Sequence, residues 1–169
     1  MPDLTFRPYE SSDREACRAI FKSHLGTYFA PGEKEEFDEF LSSLGAICPD
    51  DDLHYWVGCI DGRPVMCGGA FIREDCASLI WGILQSGLLG KGLGKSLLLH
   101  RINWIKENRP AVRSIFGNTA PLTEGFFAKH GFIPYHREPN YWGGELELVA
   151  MELSLDGQFR GPDRKKQSW

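Results

Sequence analysis

"GLLGKGLGKS", Gly87 to Ser96, places four glycines and two lysines within ten residues. It follows a strand-like run, "CASLIWGIL", and opens into "KSLLLHRINWIKENR", where Leu98, Ile102 and Ile105 share one helical face and Pro110 ends the pattern. A strand that turns on glycines into a helix leaves the first N–H groups of that helix without partners inside it. Glycines let a ligand come close to the backbone, and Lys91 and Lys95 add positive charge. The stretch therefore reads as an anion site, built for phosphate.

Spacing removes two nucleotide readings. A Walker loop ending at Gly94-Lys95-Ser96 needs its first glycine at position 89, which is leucine; Gly90 falls too late and Gly87 too early. The later strand "VRSIFGN" also lacks a terminal aspartate for magnesium. A dinucleotide fingerprint starting at Gly90 and Gly92 fails at its third glycine, which is Lys95.

Outward from this stretch, the pattern predicts a single mixed α/β domain. "LTFRPY" reads as a first strand. "SSDREACRAIF" reads as a helix with Ser12 and Glu15 at capping-box spacing and with Ala16, Ala19 and Ile20 on its apolar face. "EKEEFDEFLSSL" repeats the helical spacing at Phe37, Phe40, Leu41 and Leu44, and its acidic first turn suits a helix N-terminus. "LHYWVGCI" and "PVMCGGAFI" form a hairpin through Asp61-Gly62. After the long helix come the strand "VRSIFGN", a short helix "PLTEGFFAKH" closed by Gly131, and the strands "FIPYHR" and "ELELVAMEL". The predicted order is β-α-α-β-β-β-α-β-α-β-β over residues 1–155, with 156–169 as a polar, basic tail.

Composition narrows the partners. The 169 residues suit one domain with a sizeable core, and 42% hydrophobic with 25% charged residues is an ordinary globular balance. A net charge of −4 argues against a nucleic-acid binder held by phosphate neutralisation. Five cysteines, Cys17, Cys48, Cys59, Cys67 and Cys76, lack CxxC spacing, so free thiols in a reducing compartment are expected, with no metal site. "MPDLTFRPYE" has neither a basic region nor an apolar run, and no segment approaches the ~20 apolar residues of a membrane helix. A cytoplasmic protein without membrane contact is expected.

"LQSGLLGKGLGKSLL" resembles motif A of the GNAT (GCN-related N-acetyltransferase) superfamily, [QR]-x-x-G-x-[GA], with Gly92 and Gly94 at its last two fixed positions. "FFAKHGF", Phe126 to Phe132, resembles the family's second signature, Y-x-x-x-G-F, and the element order is similar over roughly residues 3–153. The resemblance implies acetyl-CoA as co-substrate, its pyrophosphate wrapped by Leu89, Gly90, Lys91, Gly92, Leu93, Gly94 and Lys95. It implies that Gly82, Ile83 and Leu84 pair with the pantetheine arm, that Phe127 lies beside the cofactor, and that the Leu84 amide donates to the thioester oxygen. An amine of a small molecule or peptide would attack directly, without a Cys or Ser nucleophile. A homodimer is compatible with this reading.

Three positions depart from the family pattern. Leu89 stands at the [QR] place, Ala120 where asparagine is frequent (Asn118 lies two residues early), and Phe127 where a tyrosine often protonates the thiolate. Tyr135 is then the candidate acid. Glu124 is the first candidate base, followed by Glu74, Asp75, His130 and His136. Tyr28, Phe29, Trp81, Tyr141 and Trp142 are candidates for an aromatic acceptor wall that favours a cationic amine. The departures also admit a non-catalytic acyl-CoA-binding or sensing domain; a P-loop nucleotide-binding protein is the more remote alternative.

Overall fold

The computed structural model describes residues 2–24, 29, 32–46, 51–143 and 145–161. The elements are β1 (Leu4–Pro8), α1 (Arg14–Lys22), α2 (Glu33–Ser43), β2 (Asp52–Ile60), β3 (Arg63–Arg73), β4 (Cys76–Leu84), α3 (Leu93–Asn108), β5 (Ser114–Thr119), α4 (Pro121–Ala128), β6 (Ile133–Glu138) and β7 (Leu148–Ser154). This is the order expected from sequence. The seven strands form one sheet in the order β1-β2-β3-β4-β5-β7-β6.

Strands β1 to β4 make an antiparallel meander, and the β2–β3 turn uses Asp61 at φ 50° and Gly62 at φ 80°, the left-handed pair that a two-residue hairpin needs. Strand β5 then pairs with β4 in parallel, as the α3 crossover requires, and antiparallel with β7. The β4–β5 pairing covers Cys76 to Leu79 against Ser114 to Gly117. Beyond it β4 runs on to Leu84 while β5 continues against β7 to Thr119, so the sheet opens into a notch.

Apolar side chains on the two faces build two cores. One face packs on α1 and α2 through Phe21, Phe37, Phe40, Leu41, Tyr55, Val57 and Ile80. The other packs on α3 through Ala77, Leu98, Ile102, Ile105, Ile115, Val149 and Met151. The face of α3 read from sequence is thus the buried one. The face of α1 is rotated from the one expected: Cys17, Ile20 and Phe21 are buried and Ala19 is exposed. Phenylalanine and cysteine remove more apolar surface from water than two alanines, so they set the rotation.

The capping box also lies elsewhere. Asp13, not Glu15, reaches back, accepting the Glu10 N–H at 2.9 Å while Arg7 donates to both its oxygens at 2.7 Å. Arg7 holds this buried carboxyl below the usual carboxylate range. A lowered folded pKa means that the contribution is present above the unfolded value and is lost as pH falls through the folded one. Asp13→Ala removes all three bonds and is expected to cost about 2 kcal/mol. Thermal unfolding at neutral pH should show a midpoint about 4–8 °C lower, with the gap closing on acidification.

The chain beyond β7 is better anchored than a loose tail. Arg160 pairs with Asp156 at 2.5 Å, its backbone N–H donates to buried Glu152, and Gly161 lies against the Tyr135 ring. The packed unit therefore extends to 161; residues 162–169 lie outside the described ones. No helix among the described residues is long and apolar enough to cross a membrane.

Candidate functional site

The glycine stretch sits at the mouth of the notch. After β4 the chain makes a short 3-10 turn (Ser86–Leu88), then crosses Gly90 at φ 77° and Gly92 at φ 79° into α3. These left-handed positions cost a side-chain-bearing residue about 1–2 kcal/mol each, so glycine is needed for geometry at both. No Cβ contact would exclude larger residues there. Gly92 caps α3 without a side-chain hydrogen bond, and the first intrahelical bond runs from the Ser96 N–H to the Gly92 carbonyl. The N–H groups of Leu93, Gly94 and Lys95 therefore precede the helical ladder, beside exposed Lys91 and Lys95. The helix dipole adds to their attraction for an anion.

Beside this helix end lies the open edge of β4. The register with β3 slips between Gly69, opposite Ile80, and Cys67, opposite Ile83, so Trp81 and Gly82 together face Gly68 as a β-bulge. Trp81 takes φ 41°. Tyr55 fixes the bulge from the α1 face, its buried hydroxyl donating to the Trp81 carbonyl at 2.9 Å.

The end of β4 is held equally firmly. The Gln85 N–H bonds the Val65 carbonyl, so by antiparallel alternation the Leu84 N–H and C=O point away from β3. They face the side where β5 has already separated. The Leu84 carbonyl accepts a hydrogen bond from Nε2 of buried His24, and Ser23 Oγ accepts the Ser86 N–H at 3.1 Å. The C-terminal end of α1 thus pins the strand end, and the Leu84 N–H is presented along the notch.

Across the notch, α4 starts directly after β5. Thr119 and Thr123 join their hydroxyls at this junction. Phe127 packs edge-on against Phe132 in the α3-side core. Its neighbour Phe126 stands against the α3 terminus, with ring carbons 3.6 and 3.7 Å from where a Gly94 Cβ would be. The motif alignment singled out Phe127; the ring that faces the glycine turn belongs to Phe126.

The other site candidates are dispersed. Glu124 is paired with Arg137 at 2.6 Å, which holds its carboxyl below the usual range, and Arg137 also bonds Glu147. A carboxylate held low by a cation is a weak proton acceptor. Glu124→Gln is expected to leave the pH–rate profile unchanged; loss of its acidic limb would restore Glu124 as the base. Tyr135 lies on the sheet face opposite α3, packed edge-on against Phe116 and under Gly161, with its phenol pushed up by burial and then by Glu152. It is not placed at the α3 terminus. His130 Nδ1 donates to the Phe126 carbonyl at 2.8 Å, and His136 lies near Glu138 on exposed β6. Glu74 and Asp75 form the β3–β4 turn.

Phe29 stacks on Phe21 at 4.3 Å, and Trp81 contacts Phe37 at 5.1 Å, so both belong to the α1–α2 core. Tyr141 and Trp142 meet edge to face at 5.3 Å before β7. Tyr28 lies outside the described residues. Tyr55, His24, Phe126 and buried Arg101 of α3 were not apparent as site residues. Tyr55 within an apolar run gave the one signal, and only folding shows what each residue holds.

Comparisons with known proteins bear on the family and the fold. The family model described as "Acetyltransferase (GNAT) family" matches residues 17–132. A GNAT-family protein of Desulfovibrio desulfuricans superposes with a TM-score of 0.75 at 17% identity, covering 90% of this chain and 99% of the other. The ribosomal-protein-S18-alanine N-acetyltransferase of Escherichia coli gives 0.71 at 16% identity, covering 93% and 99%. The PaiA N-acetyltransferase of Thermoplasma acidophilum, in complex with coenzyme A, gives 0.66 at 16%, covering 90% and 99%. No curated protein matches the sequence as a relative. With residues 17–132 under the family model and its sheet in the fold of these structures, the chain belongs to the GNAT acetyltransferase family.

Proposed function

We propose that the chain transfers an acyl group from acetyl-CoA to an amine of a small molecule or peptide by direct attack. The observation that carries this reading is the glycine-turned end of α3, without a side-chain cap, beside the unpaired edge of β4. In it, the amides of Gly90 to Lys95 and the charges of Lys91 and Lys95 receive the pyrophosphate. Gly82, Ile83 and Leu84 align the pantetheine arm like an added strand. The notch supplies room for this arm, and the coenzyme A held by the Thermoplasma relative supports the ligand class.

The coenzyme supplies an activated thioester; the protein orients it and receives the developing charge. The outward Leu84 N–H is the proposed donor to the thioester oxygen, held in place by β3 on one side and His24 on the other. A thiolate with a parent pKa of about 8.5 can leave without a dedicated acid. The apolar Phe127 is therefore compatible with turnover. With Glu124 bound to Arg137, the ammonium proton passes to solvent in this reading.

Calorimetric titration tests the ligand class: saturable, micromolar acetyl-CoA binding with none of ATP is expected, and the reverse would refute it. Thiol release against a panel of amines then tests transfer. Binding without release across small amines and peptide N-termini would favour the acyl-CoA sensor, a reading that Ala120 and Phe127 at the family's polar positions keep open.

A further inference from the structure

Arg101 lies on the buried face of α3 between Leu98 and Ile102 and is 4% exposed. Its guanidinium occupies a space cleared by two glycines of the central strands, Gly68 and Gly82. A Cβ on Gly82 would meet Nη2 at 2.7 Å and Nη1 at 2.9 Å, and one on Gly68 would meet Cζ at 3.4 Å. Nη1 reaches the Gly69 carbonyl at 3.4 Å, and the buried Nε has no hydrogen-bond partner. Among the described residues no Asp or Glu forms an ion pair with it. Burial lowers its pKa to about 10, with Tyr55 and Cys67 nearby, so the side chain stays charged at neutral pH.

A buried cation without a counter-ion is costly, and an apolar side chain of similar length would pack this face of α3 at lower cost. Its place in the fold gives the charge a use. Gly82 belongs to the β4 bulge and is exposed to the notch while the guanidinium directly beneath it is not. With no side chain on Gly82, a single peptide layer separates the cation from the open edge. In such a dry, preorganised setting a fixed charge acts on nearby dipoles with little screening.

We propose that Arg101 is a positioning residue whose fixed charge beneath Gly82 polarises the thioester carbonyl of an acyl-CoA lying along β4. The inference rests on the coenzyme reading given above. As the amine nitrogen bonds to the carbonyl carbon, the C=O π pair moves onto oxygen. Collapse of that intermediate re-forms C=O and breaks the C–S bond, the pair leaving on sulfur, and the extra proton of the attacking nitrogen passes to solvent. Arg101 exchanges no proton in either step. It favours the charge-separated state, while the Leu84 N–H donates the hydrogen bond.

The test is infrared difference spectroscopy of acetyl-CoA carrying carbon-13 at the thioester carbonyl, bound to the wild-type protein and to Arg101→Met, Arg101→Gln and Arg101→Lys. Coenzyme A affinity and thermal unfolding are measured alongside. Bound to the wild type, the carbonyl band should lie below its solution frequency. It should return towards the solution value in the methionine and glutamine variants and stay displaced in the lysine variant. Free coenzyme A should bind all four alike, and Arg101→Met should unfold no earlier than the wild type. If methionine fails to fold, glutamine and lysine still separate charge from size. An equal band displacement in all folded variants overturns the role of Arg101, as does an early-unfolding methionine variant whose band stays displaced as in the wild type. If the wild type binds no acyl-CoA, the coenzyme reading itself fails, a different result from binding with an unaltered band.

Discussion

Replacing Gly92 and Gly94 together with valine is expected to abolish coenzyme A binding while leaving a folded protein. Gly92 is the left-handed cap of α3, and a β-branched residue at φ 79° must leave that region or pay about 1–2 kcal/mol for staying. Either response re-aims the N–H groups of the first turn. Gly94 lies one turn-position inside, where Phe126 closes one side and the other is exposed in part. Valine there covers the amides that a pyrophosphate must reach. Losing two charge-assisted hydrogen bonds, at roughly 1.5–3 kcal/mol each, weakens binding by at least about a hundredfold. The core clusters do not include either glycine, so a cooperative thermal transition should persist. Undiminished affinity in a folded variant would remove the glycine turn from the site.

The second large effect concerns Leu84. A backbone amide survives ordinary substitution, but proline deletes it, and proline is tolerated where the lost N–H faces away from a ladder. The Leu84 N–H faces away from β3, so Leu84→Pro removes no β3–β4 bond. Loss of one oxyanion donor typically lowers kcat by about 10²–10³. That loss is expected here with a smaller change in coenzyme affinity, because the donor acts on charge that develops during the reaction. Replacing Leu84 by its α-hydroxy acid deletes the same hydrogen without the ring and should give the same loss. An unchanged kcat in either form would move the donor elsewhere on β4.

The fold was legible to the degree that periodicity and turn chemistry carried it. The α3 face at Leu98, Ile102 and Ile105, the Asp61-Gly62 hairpin and the order of elements along the chain all follow from local signals that the tertiary structure respects. Where two local signals competed, the larger burial decided. Cys17 and Phe21 turned α1 away from the alanine face, and Asp13 took the capping role because Arg7 of β1 reaches it. The latter contact joins a strand and a helix and has no sequence signature.

The glycine turn proposed for phosphate was legible for the same local reason: glycines, lysines and a helix start are contiguous in the chain. The chemical end was not. The notch is created by the parting of β4 and β5, the bulge by the Gly68 register, and the Leu84 orientation by alternation against Val65. His24, Tyr55 and Arg101 converge on β4 from the turn after α1, from β2 and from α3, three segments far apart in sequence. The same non-local pairing accounts for Glu124, whose carboxylate reads as available until Arg137 of β6 is placed beside it.

The most direct measurement is an amide chemical-shift titration of the nitrogen-15-labelled protein with acetyl-CoA. Saturable changes at Gly90, Gly92, Leu93, Gly94 and Lys95, together with Leu84 on β4, are predicted at one common micromolar dissociation constant. Changes confined to the basic surface around Lys106, Arg109 and Arg113 at the other end of α3, or none at the glycine turn, would contradict the assignment of the coenzyme to this notch.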